Sequence, residues 1–193
     1  MPLVIGGDKS TMPIHVDWWE NPKMDVRLRT VRESDFDFVD RLGTDPTVSE
    51  PFEWFGFRYP ETWSRERWDR DRFLEGDPRF LAVAGDDDRI MGWVTWRQGV
   101  LSPQPGVVEI GALLLPECRG KGHGTIAQRL LVDYLFATTP VHRIWAGTEV
   151  DNLAEQKSLE KCGFTKEGLL RQSVFRDGQW RDGVVYGLLR HET

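Results

Sequence analysis

An α/β domain built on a mixed sheet is what this sequence predicts, and three observations predict it. Short apolar runs rich in β-branched residues and tryptophan alternate with longer runs of helical spacing. Two polar clusters, Gly85-Asp86-Asp87-Asp88 and Asp177-Gly178, separate strand pairs as hairpin turns do. A buried strand, "VVEIGALLL", and a helix, "TIAQRLLVDYLF", are joined by a bare basic turn, Arg119–Thr125, with glycine at every second position. Strands in hairpins and strands separated by helices together make a sheet of mixed direction.

Taken in order, residues 1–24 read as an irregular arm and residues 25–193 as one domain. "DVRLRTVRESDFDFVDRLG" gives a short strand, a cap at Ser34 and a helix on the spacing of Phe36, Val39 and Leu42. A loop dense in aromatics follows, then a charged helix, "SRERWDRDRFLEG", with Trp68, Arg72 and Phe73 as its inner face. "RFLAVA" and "RIMGWVTW" form the first hairpin, and "VVEIGALLL" a more buried strand. The helix after the glycine turn shows Ile126, Ala127, Leu130, Leu131, Tyr134 and Leu135 on one face. "HRIWAGTEV" is a strand, "NLAEQKSLEKCGF" a helix closed by Gly163, and the tail a hairpin around Asp177-Gly178.

Composition narrows the function classes. Hydrophobic residues at 39 % and charged residues at 29 % suit one globular domain with its own core. The net charge of −6 and the lack of a basic stripe argue against nucleic acid and favour cationic partners such as amines. Two cysteines, Cys118 and Cys162, read as free thiols in a reducing compartment. No signal peptide, membrane span or metal-ligand spacing is expected, so the expected location is cytoplasmic. A two-fold homodimer is the prior for assembly.

The glycine turn carries the chemistry. A turn that opens a helix leaves backbone N–H groups unpaired, and the helix dipole favours an anion there. Glycine lets the main chain approach closely, and Arg119 and Lys121 add positive charge at the rim. The spacing G-x-G-x-G is neither a P-loop nor the dinucleotide fingerprint. The physical reading is a cradle for a phosphate compound. A plain strand-to-helix connection is the alternative.

Arg119, Gly122 and Gly124 in "RGKGHG" fit R/Q-x-x-G-x-G/A, "NLAEQKSLEKCGF" fits an N-x-x-x…E-K-x-G-F helix ending, and "DGQWRDGVVYGLL" fits a G-x-W-x-D…Y-x-L hairpin. In these three motifs the chain resembles the GNAT superfamily of N-acetyltransferases, and in the third its RimJ/RimL-like branch. The resemblance covers roughly residues 26 to 190. It implies a mostly antiparallel central sheet flanked by helices, with splayed central strands, "EIGALLL" and "RIWAGTEV", holding acetyl-CoA. By resemblance, the backbone of Leu113, Leu114 and Leu115 pairs with the pantetheine arm. The turn Arg119, Gly120, Lys121, Gly122, His123, Gly124 and Thr125 then holds the pyrophosphate. Relatives place Asn152 near the cofactor, although Asn152 with Glu155 also fits a helix cap.

The implied reaction moves an acetyl group from acetyl-CoA directly to a primary amine, on a small molecule or a peptide N-terminus. An alkylammonium must lose a proton first, so a carboxylate near the thioester is wanted. Glu109 interrupts an apolar strand and is the candidate base, with an exposed strand-end carboxylate as its alternative. A backbone N–H near Leu114 is the expected oxyanion donor. Leu159 stands where many relatives carry an acidic tyrosine, which leaves Ser158 as the candidate acid. Over the acceptor site, "SEPFEWFGFRYPETW" offers Glu53, Trp54 and Phe55, with Trp93 and Trp96 extending the wall. That aromatic cluster fits either a pocket or a small core. A non-catalytic acyl-CoA-binding domain is the remaining alternative.

Overall fold

Six antiparallel strand pairs and one parallel pair build the sheet. The computed structural model describes residues 20–21, 26–57, 65–99, 101–102 and 104–193. The strands are β1 (Glu20–Asn21), β2 (Val26–Arg29), β3 (Arg79–Ala84), β4 (Ile90–Gln98), β5 (Val107–Leu114), β6 (Arg143–Glu149), β7 (Thr165–Arg176) and β8 (Gln179–Leu189). Their order across the sheet is β1-β2-β3-β4-β5-β6-β8-β7. Every neighbouring pair is antiparallel except β5 and β6, which are joined by the crossover helix α4 (His123–Thr138). Most of the expected arm, residues 1–24, lies outside the described residues, but Glu20 and Asn21 pair with Arg27 and Val26 at the sheet edge.

Helix α4 packs as its spacing predicts. Ala127, Leu130, Leu131 and Leu135 are buried, while Ile126 and Tyr134 flank them half-buried. With α5 (Leu153–Lys161) it covers one face of the sheet, where Trp96 meets Tyr134 at 5.7 Å. The opposite face is covered by α1 (Phe36–Thr44), α2 (Pro46–Ser49) and α3 (Arg65–Asp71) only over β3 and β4. There Trp93 packs edge-on against Phe38 and Phe80 at 5.1 and 6.0 Å. Trp93 is half-buried on the strand face that also carries Arg97, and it is not among the residues lining the cavity described below. Three residues apart on a strand, Trp93 and Trp96 face opposite sides, as the period of two requires.

Two helix details differ from expectation. Ser34 caps nothing, because Glu33–Asp35 form a 3-10 turn and the Asp35 carboxylate accepts from the Arg32 N–H instead. In α3 the buried arginine is Arg67, which donates to the carbonyls of Glu75 and Pro78. The helix stops at Asp71 because Arg72 and Phe73 turn to positive φ, 55° and 62°. Arg72 then lies over the Trp68 ring at 3.8 Å, while Phe73 alone enters the core. The tail hairpin turns at Asp177-Gly178, both at positive φ, as a two-residue hairpin turn demands.

Candidate active site

Strands β5 and β6 share three rungs and then part. Val107, Val108 and Glu109 pair with Arg143, Ile144 and Trp145, after which β5 stays with β4 and β6 with β8. The ladder alternation says which groups face the gap. Leu115 gives its N–H to the Met91 carbonyl. By the alternation of an antiparallel ladder, Leu113 also bonds back to β4, and Ala112 and Leu114 turn their main-chain groups to the free edge. So the edge open to an extended chain is carried by Ala112 and by the N–H of Leu114, whose carbonyl accepts from Arg119, and the main-chain groups of Leu113 and Leu115 are turned to β4.

The turn after β5 has the geometry of an anion cradle. Gly120 and Gly122 adopt φ of 75° and 84°, which a side chain would strain. Gly122 is the N-cap of α4, with no side-chain capping bond, and Ile126 is the first helical N–H bonded back to it. The N–H groups of His123, Gly124 and Thr125 thus open onto the turn without intrahelical acceptors. His123 adds a buried Nδ1 that has no hydrogen-bond partner among the described residues. These features fit a pyrophosphate. Replacing Gly122 by Val is expected to weaken CoA binding by roughly 5- to 150-fold, because holding the turn in its binding shape then costs about 1–3 kcal/mol of backbone strain. Calorimetric titration with CoA checks this, and an unchanged affinity removes the turn from phosphate binding.

Arg119 and Lys121 behave differently from simple rim charges. Arg119 spends its guanidinium on three carbonyls, donating to Leu114 at 2.8 Å, to Glu50 at 2.6 Å and to Val48. It ties the end of β5 to α2 and is a structural crossbar. Lys121 donates to the Glu117 carbonyl at 2.9 Å and remains at the exposed rim.

Glu109 stands on the last shared rung, where the gap begins. Its carboxylate, largely buried, takes a two-pronged bond from Arg97 on the adjoining strand, at 2.7 and 2.9 Å. That bond holds the guanidinium of Arg97 above its ordinary pKa. Each carboxylate oxygen has a further lone pair, so the bond to Arg97 fixes Glu109 without exhausting it. The same rung opens a cavity of about 370 Å³ on the face that α1–α3 leave uncovered. Phe52, Glu53 and Phe55 line it from the loop after α2, Trp145, Gly147 and Glu149 from β6, and Leu170, Val174 and Val185 from the tail hairpin. Two expected members are thus present, Glu53 and Phe55. Trp54 is not; it meets Phe57 edge-on at 5.2 Å.

Helix α5 does not supply a free acid. Gln128 donates from Nε2 to Glu155, and Ser158 donates its proton to Gln128 Oε1 at 2.6 Å. Thr125 Oγ1 lies 2.9 Å from Ser158 Oγ and is left to donate to it. With its one proton committed to Gln128, Ser158 has none to offer a thiolate, and the expected role is corrected. Burial between α4 and α5 raises the Glu155 carboxyl above the usual range, and it pushes the Cys162 thiol up to about 11. Asn152 is a helix cap: its Oδ1 accepts from the Glu155 N–H at 3.2 Å and its Nδ2 donates to Thr148. Leu159, in the place of the tyrosine, is wholly buried.

Sequence reasoning missed Arg97, Trp145 and the Glu149–Arg176 pair, bonded at 2.6 and 2.8 Å at the far end of the pocket. The only signal for Arg97 was its position in the hairpin partner of "VVEIGALLL". Among the described residues no group of three or more His, Cys, Asp and Glu could hold a metal, and no helix is long and apolar enough to cross a membrane.

A pair of strands that parts beside a phosphate cradle receives an extended thioester, and the class so defined is the acyl-CoA-dependent transferases. The model of the acetyltransferase (GNAT) domain matches residues 25–165, and the chain belongs to that family. It is an N-acetyltransferase that uses acetyl-CoA. The protein named Probable N-acetyltransferase YjcK of Bacillus subtilis (strain 168) is 33% identical over 161 residues, 79% of this chain and 88% of its own. The spermidine N(1)-acetyltransferase of Escherichia coli (strain K12) is 24% identical over 172 residues, 86% of this chain and 87% of its own. The crystal structure of spermidine N-acetyltransferase from Vibrio cholerae in complex with CoA and spermine shares the fold. Its TM-score is 0.72 at 22% identity, covering 87% of this chain and 97% of that one.

Proposed function

We propose that the chain transfers the acetyl group directly to a primary amine seated in the cavity beside Glu109, with Glu109 as the proton acceptor. The observation that carries this reading is the position of Glu109 on the last rung shared by β5 and β6. There the gap suited to the donor and the cavity suited to the acceptor meet. An alkylammonium, with a pKa near ~10, gives up its proton to Glu109 directly or through one water. The neutral nitrogen attacks the thioester carbon, a C–N bond forms and the C–S bond breaks. The thiolate, whose conjugate thiol has a pKa of about 8.5, leaves readily and takes a proton from solvent. The second proton lost by nitrogen also goes to solvent. Ala112, on the free edge and nearer Glu109 than Leu114 is, offers its N–H to the developing oxyanion.

The tail hairpin with "GQW" and "VVYGLL" supports the RimJ/RimL-like branch. Two free, buried cysteines support a reducing, cytoplasmic setting. The test is mass spectrometry after incubation with acetyl-CoA and a panel of free-N-terminal peptides, polyamines, amino acids and aminoglycoside-like amines. A gain of one acetyl group on one class is the expected result. No gain on any class, with CoA binding intact, favours the acyl-CoA-binding module instead.

A further inference from the structure

The acceptor pocket combines an apolar wall with two inner carboxylates that are already answered, while Glu53 lines it from the exposed loop after α2. Trp145, Leu170, Val174 and Val185 face it from three strands, and Phe55 faces it from the loop after α2. Leu170 is 40% exposed, so the apolar wall reaches solvent at the mouth. The two inner carboxylates are each gripped by a guanidinium. Arg97 holds Glu109 at 2.7 and 2.9 Å, and Arg176 holds Glu149 at 2.6 and 2.8 Å. A second cation, Arg181, stands 3.8 Å from Glu149. Each carboxylate–guanidinium couple is neutral as a unit, and Glu149 is only 4% exposed.

A polyamine carries a cation every few carbons and needs an unanswered carboxylate for each one it buries. An ammonium desolvated against Trp145 and Val174 without such a partner is costly. An apolar body on the same wall is stabilised by about 25 cal/mol for each Å² withdrawn from water.

We infer that the acceptor is a monoamine carried on an apolar, ring-sized body, with nitrogen at Glu109 and the body against Trp145, Leu170 and Val174, and that polyamines are poor acceptors. This rests on the amine-acceptor reading above. The chemistry has two sources: a free arylalkylamine, or the first residue of a peptide with an apolar side chain.

The experiment measures kcat/KM with acetyl-CoA for phenethylamine, a Phe-initial tetrapeptide, spermidine and spermine, in the wild type and in Leu170→Asp. One ring-bearing acceptor is expected to exceed both polyamines by at least about tenfold, and whichever does so names the source. Leu170→Asp places a carboxylate on the half-exposed wall and is expected to narrow that ratio by roughly tenfold. The wild-type ratio decides the question whether or not the variant folds. Polyamine turnover equal to or above that of the ring-bearing acceptors overturns the inference. So does turnover of neither class while calorimetry shows CoA bound. Absence of CoA binding instead refutes the acetyltransferase reading beneath it.

Discussion

Glu109→Gln lowers kcat by about 10²–10⁴-fold, the usual worth of a positioned base, and leaves the Kd for CoA unchanged. The amide keeps the shape of the side chain and one acceptor for Arg97, which lies 2.7 and 2.9 Å from the carboxylate. What it removes is the group able to take a proton from the ammonium. The pH profile separates this from a structural effect. Without the base, the rate follows the fraction of free amine and climbs toward the acceptor's own pKa, near ~10 for an alkylamine. Steady-state kinetics from pH 6 to 10, with melting curves for both proteins, make the measurement. An unchanged kcat at saturating amine would leave Glu109 as nothing more than the counter-ion of Arg97.

Gly92→Ala is expected to cost stability on the largest scale of any single methyl in the described chain. A Cβ at Gly92 would sit 2.1 Å from the Leu113 carbonyl oxygen and 2.8 Å from the Leu114 Cα. Both are main chain, so neither can swing aside. The glycine lies opposite Leu114 of β5, beside the irregularity that lets Val83 pair with Gly92 and Ala84 with Ile90. Overpacking costs about 1–3 kcal/mol, and main-chain contacts put this case near the upper end, a melting-temperature loss of roughly 6–12 °C for a chain of this size. Because the displaced strand carries Ala112 and Leu114, CoA affinity should fall with it. A variant that melts with the wild type would mean that β5 has slack here.

The donor half was legible because it is local. Strand, turn and helix from Val107 to Thr138 run without interruption, and the glycines at 120, 122 and 124 announce their own conformation. The acceptor half is assembled across distance. Arg97 reaches Glu109 only through the register of β4 on β5, and Trp145, Leu170 and Val185 come from three strands whose order no local pattern encodes. Ser158 looked available because Gln128, which takes its proton, lies thirty residues away on another helix. For the two tryptophans strand alternation was readable: it turns Trp96 toward α4, where it is 3% exposed, and leaves Trp93 on the face of Arg97. The parting of β5 from β6 was implied by resemblance alone, since a parallel pair across a crossover leaves no mark on either strand.

The two substrates are read in different alphabets. On the proposed reading the donor meets main chain: the amide groups at Ala112, the N–H of Leu114 and the first turn of α4, which every residue but proline possesses. What that half demands of a sequence is little more than two glycines at positive φ and a strand register. The proposed acceptor cavity is lined by side chains, drawn from a loop and a hairpin that Arg119 and the sheet hold in place. Exchanging Phe55 or Leu170 rewrites the acceptor half without touching one donor group. A chain of this build can change what it acetylates while conserving how, and its specificity is heritable separately from its chemistry.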